Sequence, residues 1–259
     1  MNYVKALEEK CGLNYGLMVK ERFTSFRKEV NSNLKQKNTD AELRKLVKSC
    51  SGNHMDFSIF SIEILEKGIK EYEYIQLLKE PCFKLITDVS FLLIELTSKI
   101  LADKEFSRFP KLVEILEGKI EMIVNRQQET LKNNVLNFID IEENYIWTEN
   151  KVFLENLKKM FEEYKNPNDI NIIRSLIIQY FNTVKYTFCD QIPKMTMYYL
   201  VSNIEKQIYT NLFEITSKDE IFISTILEEP GEIGEQRAKL NKFRTKLNRA
   251  KKLLSRDID

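Results

Sequence analysis

A chain of 259 residues is long enough for one or two domains with a sizeable buried core. Hydrophobic residues at 43% and charged residues at 31% exclude a disordered polar chain, and a net charge of +1 leaves no overall field to hold nucleic acid. Only 7 glycines and 5 prolines are present, too few for the tight turns of sandwiches, barrels or doubly wound sheets, so the composition implies helices.

The N-terminus runs straight into charged helical sequence, Val4 to Lys10, without the apolar core of a signal peptide. A first helix is expected from Tyr15 to Leu34, with Leu17, Phe23, Phe26 and Val30 near one face. The polar run from Asn31 to Asp40 reads as a loop. Thr39 or Asp40 can then cap a shorter helix through Val47, and Cys50 to His54 breaks the pattern. From Phe57 to about Lys79, Ile62, Leu65, Ile69, Tyr72 and Ile75 keep a helical period. Pro81 lacks an N–H and disfavours α geometry at Glu80, so a kink or break is expected there. The segment Phe83 to Leu101 is apolar around much of its girth, which places it in the middle of a bundle. Its most apolar stretch, Phe91 to Leu96, contains Glu95 and is far shorter than the ~20 residues of a bilayer span.

Ser107-Arg108-Phe109-Pro110 reads as a helix start, with the proline where its missing donor costs nothing. That helix could run to Ile146, a rod on the order of 50 Å at about 1.5 Å per residue. A shorter helix follows from Val152 to Tyr164, ending in the turn Lys165-Asn166-Pro167-Asn168-Asp169. A long helical pattern then covers Ile170 to about Ile215, and Pro193 inside it should bend it. After Glu229-Pro230-Gly231, the residues Ile233, Leu240, Phe243, Leu247, Ala250 and Leu254 give an amphipathic helix of coiled-coil type. The expected fold is all-α, an elongated antiparallel bundle whose last helix packs back or projects toward a partner.

Residues able to carry chemistry are few. Cys11, Cys50, Cys82 and Cys189 are widely spaced and form no CxxC pair, which suits a reducing compartment and suggests no zinc site. No GxxxxGK[ST] phosphate cradle occurs, and the close glycine pairs, Gly12 with Gly16 and Gly231 with Gly234, lack its lysine. His54, the one histidine, sits in a polar loop where a solvated side chain explains it better than a catalytic relay. Asp140, Glu142 and Glu143 cluster, but no second acidic helix repeats the pattern as a di-metal bundle requires. The last helix carries Lys239, Lys242, Arg244, Lys246, Arg249, Lys251, Lys252 and Arg256 opposite its seam. Such a helix can meet an anionic membrane, a calmodulin-like partner or nucleic acid, or pack into a bundle with its charges in water; the regular seam without Trp favours packing. The tract Met195-Thr196-Met197-Tyr198-Tyr199 fits a core as well as an interface.

Several strings, in the order found here, resemble the middle domain and GTPase effector domain of the dynamin superfamily. They are Leu78-Lys79-Glu80-Pro81, Arg108-Phe109-Pro110-Lys111-Leu112 and Ile141-Glu142-Glu143-Asn144-Tyr145-Ile146, with Lys20-Glu21-Arg22-Phe23 near the start. The C-terminal half resembles the effector domain from Ile173-Arg174-Ser175-Leu176 through Tyr180-Phe181, Val184 and Ile192-Pro193-Lys194. Glu228-Glu229-Pro230, Glu232-Ile233 and Arg237 continue the likeness.

The resemblance implies a four-helix-bundle stalk without a GTPase domain, divided as residues 1–164 (middle-domain part), 165–169 (a turn where an insert or lipid-binding domain would lie), 170–229 (effector-domain helix) and 230–259 (a helix of bundle-signalling-element type). It implies no catalytic, cofactor or metal site in the chain itself, GTP and Mg belonging to the missing G domain. The partners implied are copies of itself, as homodimer and higher oligomers, then the G domain and remaining signalling helices, and a membrane only indirectly; no nucleic acid is among them. The dimer crossing would fall at Met195, Thr196, Met197 and Tyr198. Higher-order contacts would involve Gly12, Asn14, Gly52, Asn53 and His54, though the basic residue often found at Asn14 is missing, and Leu240, Phe243, Leu247 and Leu254 would face the G domain. The implied role is self-assembly for a cytoplasmic GTPase, peripherally membrane-associated, that remodels or severs membranes. An Mx-like stalk binding a viral or other protein target through a tip at Val152 to Asp169, or a free-standing helical scaffold, are the other readings. The nearness of Met1 to the family's stalk start suggests a piece of a longer chain.

Overall fold

The computed structural model describes residues 14–32, 39–50, 57–163 and 170–254. Among them there is no strand, and the fold is all-α. In chain order the helices are α1 (Tyr15–Ser32), α2 (Asp40–Cys50), α3 (Phe57–Glu71), a 3₁₀ turn (Gln76–Leu78), α4 (Lys79–Leu101) and α5 (Lys104–Ser107). Then come α6 (Pro110–Asn144), α7 (Lys151–Glu163), α8 (Ile170–Thr196), a π-helical turn (Met197–Ser202), α9 (Asn203–Thr216), α10 (Glu220–Ile226) and α11 (Gly231–Leu254). Among the described residues no helix is long and apolar enough to cross a membrane.

Short polar side chains set where these helices begin. Asn14 Oδ1 accepts the Leu17 amide at 2.8 Å ahead of α1, and Asn150 Oδ1 accepts that of Phe153 at 3.1 Å ahead of α7. Asp103 and Asp219 do the same for α5 and α10, accepting from Glu105 and Phe222. Thr39 and Glu42 form a reciprocal capping box: the Thr39 amide donates to Glu42 Oε2 at 2.8 Å, and Thr39 Oγ1 accepts the Glu42 amide at 3.4 Å. Pro110 opens α6, as its missing donor allows.

The break near Pro81 lies elsewhere. Pro81 sits in the first turn of α4, where the N–H it lacks would have no partner, so it imposes no kink. The chain turns at Glu73 instead, whose φ of 50° is left-handed. The Tyr74 amide donates to the Ile69 carbonyl at 3.3 Å and the Glu73 amide to that of Lys70 at 3.2 Å, the paired bonds of a Schellman end. Ile69 and Tyr74, the two ends of the wider loop, are both buried. Tyr74 also meets Phe181 of α8, ring centroids 5.1 Å apart.

The described residues fall into two compact units. One comprises residues 14–92 and 124–204 and is organised by α8, which packs against α1, α2, α3 and α7. The middle place expected for Phe83 to Leu101 thus belongs to α8. Its buried residues come in adjacent pairs, Ile172 with Ile173, Leu176 with Ile177, and Tyr180 with Phe181, so it is apolar over more than one stripe; α4 leaves Phe91 exposed. Gly68 of α3 permits the closest approach, since a Cβ there would lie 2.7 Å from Ile177 Cδ1 and 3.2 Å from Leu46 Cδ2. Around this core Lys84 pairs with Glu29 at 3.0 Å, tying α4 to α1, and Arg174 with Asp40, tying α8 to α2. On α1 Phe26 and Val30 are buried as the period requires, whereas Leu17 is exposed.

The other unit comprises residues 93–123 and 205–254. Its core is Leu101, Leu116, Ile215 and Ile226, with Leu112, Val113 and Phe222 packed against it. Lys119 Nζ donates to Asn211 Oδ1 at 3.4 Å while Leu116, earlier on α6, shares a core with Ile215, later on α9, so α9 runs antiparallel to α6; Lys111 pairs with Glu228, beyond α10, at 2.6 Å. The ion pair Arg237–Glu229, at 2.7 Å, spans the entrance to α11.

Candidate functional site

The long helical pattern from Ile170 is continuous but not uniform. Ile192, Thr196, Leu200 and Ile204 are buried and Ile208 half-buried, a run spaced by four residues at every step. At about 100° per residue, each step of four overshoots a full α turn by about 40°, so a pure α-helix would carry this stripe about 160° around its axis. The i→i+5 turn at Met197–Ser202 under-winds the helix and keeps the stripe on one side. Upstream, Pro193 offers no N–H, and Thr196 Oγ1 donates to the Ile192 carbonyl at 2.8 Å.

This turn lies within the tract singled out in the sequence. Thr196 is fully buried and Met195 half-buried, so the parts that face solvent are Met197, 40% exposed, and Tyr198, 54% exposed. The Tyr198 ring meets that of Tyr199 edge-on, centroids 5.1 Å apart. Between Asp190 and Ile204 the charged residues are Asp190 and Lys194, and these pair with each other. The result is a neutral surface of thioether and aromatic rings, the residue types enriched where proteins meet.

The other expected positions are scattered. Asn14 is exposed and spends its side-chain oxygen capping α1. Gly12, Gly52, Asn53 and His54 lie outside the described residues, as do the end of the first helix at Leu34 and the turn at 165–169. Leu240, Phe243 and Leu247 are exposed along α11, while the Leu254 side chain lies outside what is described. Basic residues flank that seam throughout.

The acidic cluster has structural work. Asp140 Oδ1 accepts from Asn144 at 2.8 Å and Glu143 accepts from Gln76, while Lys70 donates to Asn144 at 2.8 Å. Burial pushes the Glu142 carboxyl above its usual range, and burial also raises Tyr180, to about 12. Among the described residues no group of His, Cys, Asp or Glu is placed to hold a metal ion. Burial pushes the Cys82 and Cys189 thiols upward, away from nucleophilic reactivity.

Two exposed apolar groups escaped the sequence reading. Tyr209, Leu212 and Phe213 on α9 are exposed at i, i+3 and i+4, one helical face left bare. Periodicity alone reads such a face as core, and only the antiparallel seating of α9 on α6 through Ile215 and Asn211 turns it outward. Tyr145 and Trp147, between α6 and α7, are also strongly exposed. The lone tryptophan of the chain was a signal available in the sequence.

Comparison with known proteins adds to this geometry. The family model for the dynamin central region matches residues 4–162, and that for the dynamin GTPase effector domain matches residues 165–257. An interferon-induced GTP-binding protein Mx from Siniperca chuatsi is 21% identical over 95% of this chain and 43% of its own length. Dynamin-A of Dictyostelium discoideum is 36% identical over 28% of the chain and 8% of its own length. The dynamin-related protein dnm1 of Schizosaccharomyces pombe is 29% identical over 34% of the chain and 11% of its own length. The chain thus spans less than half the length of these relatives.

Proposed function

This chain belongs to the dynamin family, and from that premise we propose that it is the self-assembling stalk of a membrane-remodelling GTPase. Residues 1–164 serve as the middle-domain part, 165–169 as the place where an insert would lie, 170–229 as the effector-domain part and 230–259 as the signalling-element part. In this reading the chain binds copies of itself and catalyses nothing; GTP and its Mg ion belong to a separate G domain. The exposed seam of α11, Leu240, Phe243 and Leu247, is the surface available to that domain and its flanking helices. The parent protein works peripherally at cytoplasmic membranes, reached through the assembly rather than by this chain's own insertion.

The observation that carries the reading is the neutral, exposed pair Met197 and Tyr198 on the π turn. A symmetric contact sets a patch against its own copy, so it must be free of net charge and rich in rigid apolar groups. The tract meets both conditions, whereas the basic surface of α11 would repel itself. Sedimentation velocity over a concentration series tests this: the chain should associate, and Met197→Asp should shift it to monomer with its helical circular dichroism intact. A chain that stays monomeric throughout the series refutes self-assembly, and association unmoved by Met197→Asp removes the tract from the contact.

A second reading is favoured by one observation, the exposed Tyr145 and Trp147. These rings, shortly before the tip expected at Val152 to Asp169, are of the residue types enriched where proteins meet, and this chain is similar to an Mx protein over 95% of its length. Under this reading Trp147→Ala abolishes capture of a protein target while leaving self-association unchanged.

A further inference from the structure

We infer that the under-wound turn Met197–Ser202 is the positioning element for self-association, holding Met197 and Tyr198 outward as one rigid contact for a second copy; this rests on the self-assembly reading above. A π turn gives up regular α hydrogen bonding and persists where the surroundings or a function require it. Here the inner requirement is visible: the run Ile192, Thr196, Leu200, Ile204 and half-buried Ile208 keeps intervals of four throughout, which unbroken α geometry would carry about 160° around the axis.

The outer consequence follows from the same winding. Continuing α geometry from Ile192 would turn inward a position near Tyr199 and swing Tyr198 to the flank. Under-winding instead leaves Met197 and Tyr198 outward, with the Tyr198 ring braced at 87° against Tyr199. Aromatic side chains already fixed in the free protein lose little freedom on docking, which is how a small surface gains affinity. The occupant is a second copy because the surface is self-compatible: its flanking charges, Asp190 and Lys194, neutralise each other within the helix.

Deletion of Val201 tests the inference in the full chain. Removing one residue restores the three-or-four spacing of an ordinary helix for the buried stripe, so the turn closes to α geometry while Met197, Tyr198 and Tyr199 all remain. A folded, cooperatively melting deletion variant should associate at least about tenfold more weakly, since each factor of ten corresponds to only ~1.4 kcal/mol. Unchanged association in the folded variant overturns the inference, and if Met197→Asp still dissociates the copies, the self-assembly reading survives it. Should the deletion prevent folding, amide hydrogen exchange of the intact chain decides. Slower exchange at Met197–Ser202 in associated than in dilute protein supports the positioning role, and equal exchange refutes it.

Discussion

Replacing Gly68 by alanine sets helix propensity against packing, and the geometry decides the sign. In an open helix position the change stabilises by about 1 kcal/mol, because alanine restricts the unfolded chain and suits the helix. At Gly68 the new Cβ would stand 2.7 Å from Ile177 Cδ1, 3.3 Å from Ile177 Cγ1 and 3.2 Å from Leu46 Cδ2. Carbon atoms prefer separations of about 3.5–4.0 Å, so Ile177 must retreat by roughly an ångström. Ile177 and Leu46 are both fully buried and have little room to do so. Overpacking of this kind costs about 1–3 kcal/mol, which leaves Gly68→Ala destabilised by about 1 kcal/mol after the propensity gain. Gly118 of α6, whose Cβ would meet nothing within 4 Å, provides the control: Gly118→Ala should stabilise by about 1 kcal/mol. Ile177→Val removes the crowded Cδ1 and alone costs about 0.5–1.5 kcal/mol. In the double variant the alanine methyl occupies the vacated space, so the combined loss should fall short of the sum by about 1 kcal/mol or more. Urea unfolding followed by far-ultraviolet circular dichroism measures all four variants. A Gly68→Ala as stabilising as Gly118→Ala, or strictly additive losses, would refute the close α3–α8 contact.

Glu73 occupies the left-handed position of a Schellman end, so Glu73→Gly should raise stability by about 1 kcal/mol in the same urea assay, the strain of a side chain at positive φ being relieved. Burial raises the Glu142 carboxyl, so its charge opposes folding: that stability is fully present below the unfolded-state pKa and is lost as pH rises through the folded one. Glu142→Gln should therefore melt above the wild type at neutral pH, with the difference closing on acidification; a gap independent of pH would contradict the burial argument. Lys185 is buried with its ammonium over the Phe181 ring at 5.4 Å, and burial lowers its pKa. Lys185→Met keeps the apolar stem and removes the charge, so thermal melting at neutral pH should rise, and a fall would show that the ring contact outweighs desolvation.

The family itself was legible in residue order, and the comparisons bear it out. Much of the helical layout was legible too, because its signals are local. Pro110 is favoured in the first turn of a helix, Thr39 or Asp40 stands where a short helix needs a cap, and scarce glycine and proline leave few places to turn. The candidate surface was legible only in part: Met197 and Tyr198 were named, but a Met–Tyr run reads alike as core or contact until its burial is known.

By itself the sequence determined that the chain is helical, roughly where its helices begin, and the family to which it belongs, since each of these follows from neighbouring residues and their order. Only the tertiary structure decided that the chain turns at Glu73 rather than Pro81, where Tyr74 finds Phe181 more than a hundred residues away. The same holds for the central place of α8, for the bare face of Tyr209, Leu212 and Phe213, and for the π turn that keeps Leu200 and Ile204 inside. The physical reason is common to all of them: hydrophobic periodicity fixes which residues seek cover, while which of them find it depends on partners brought together by folding.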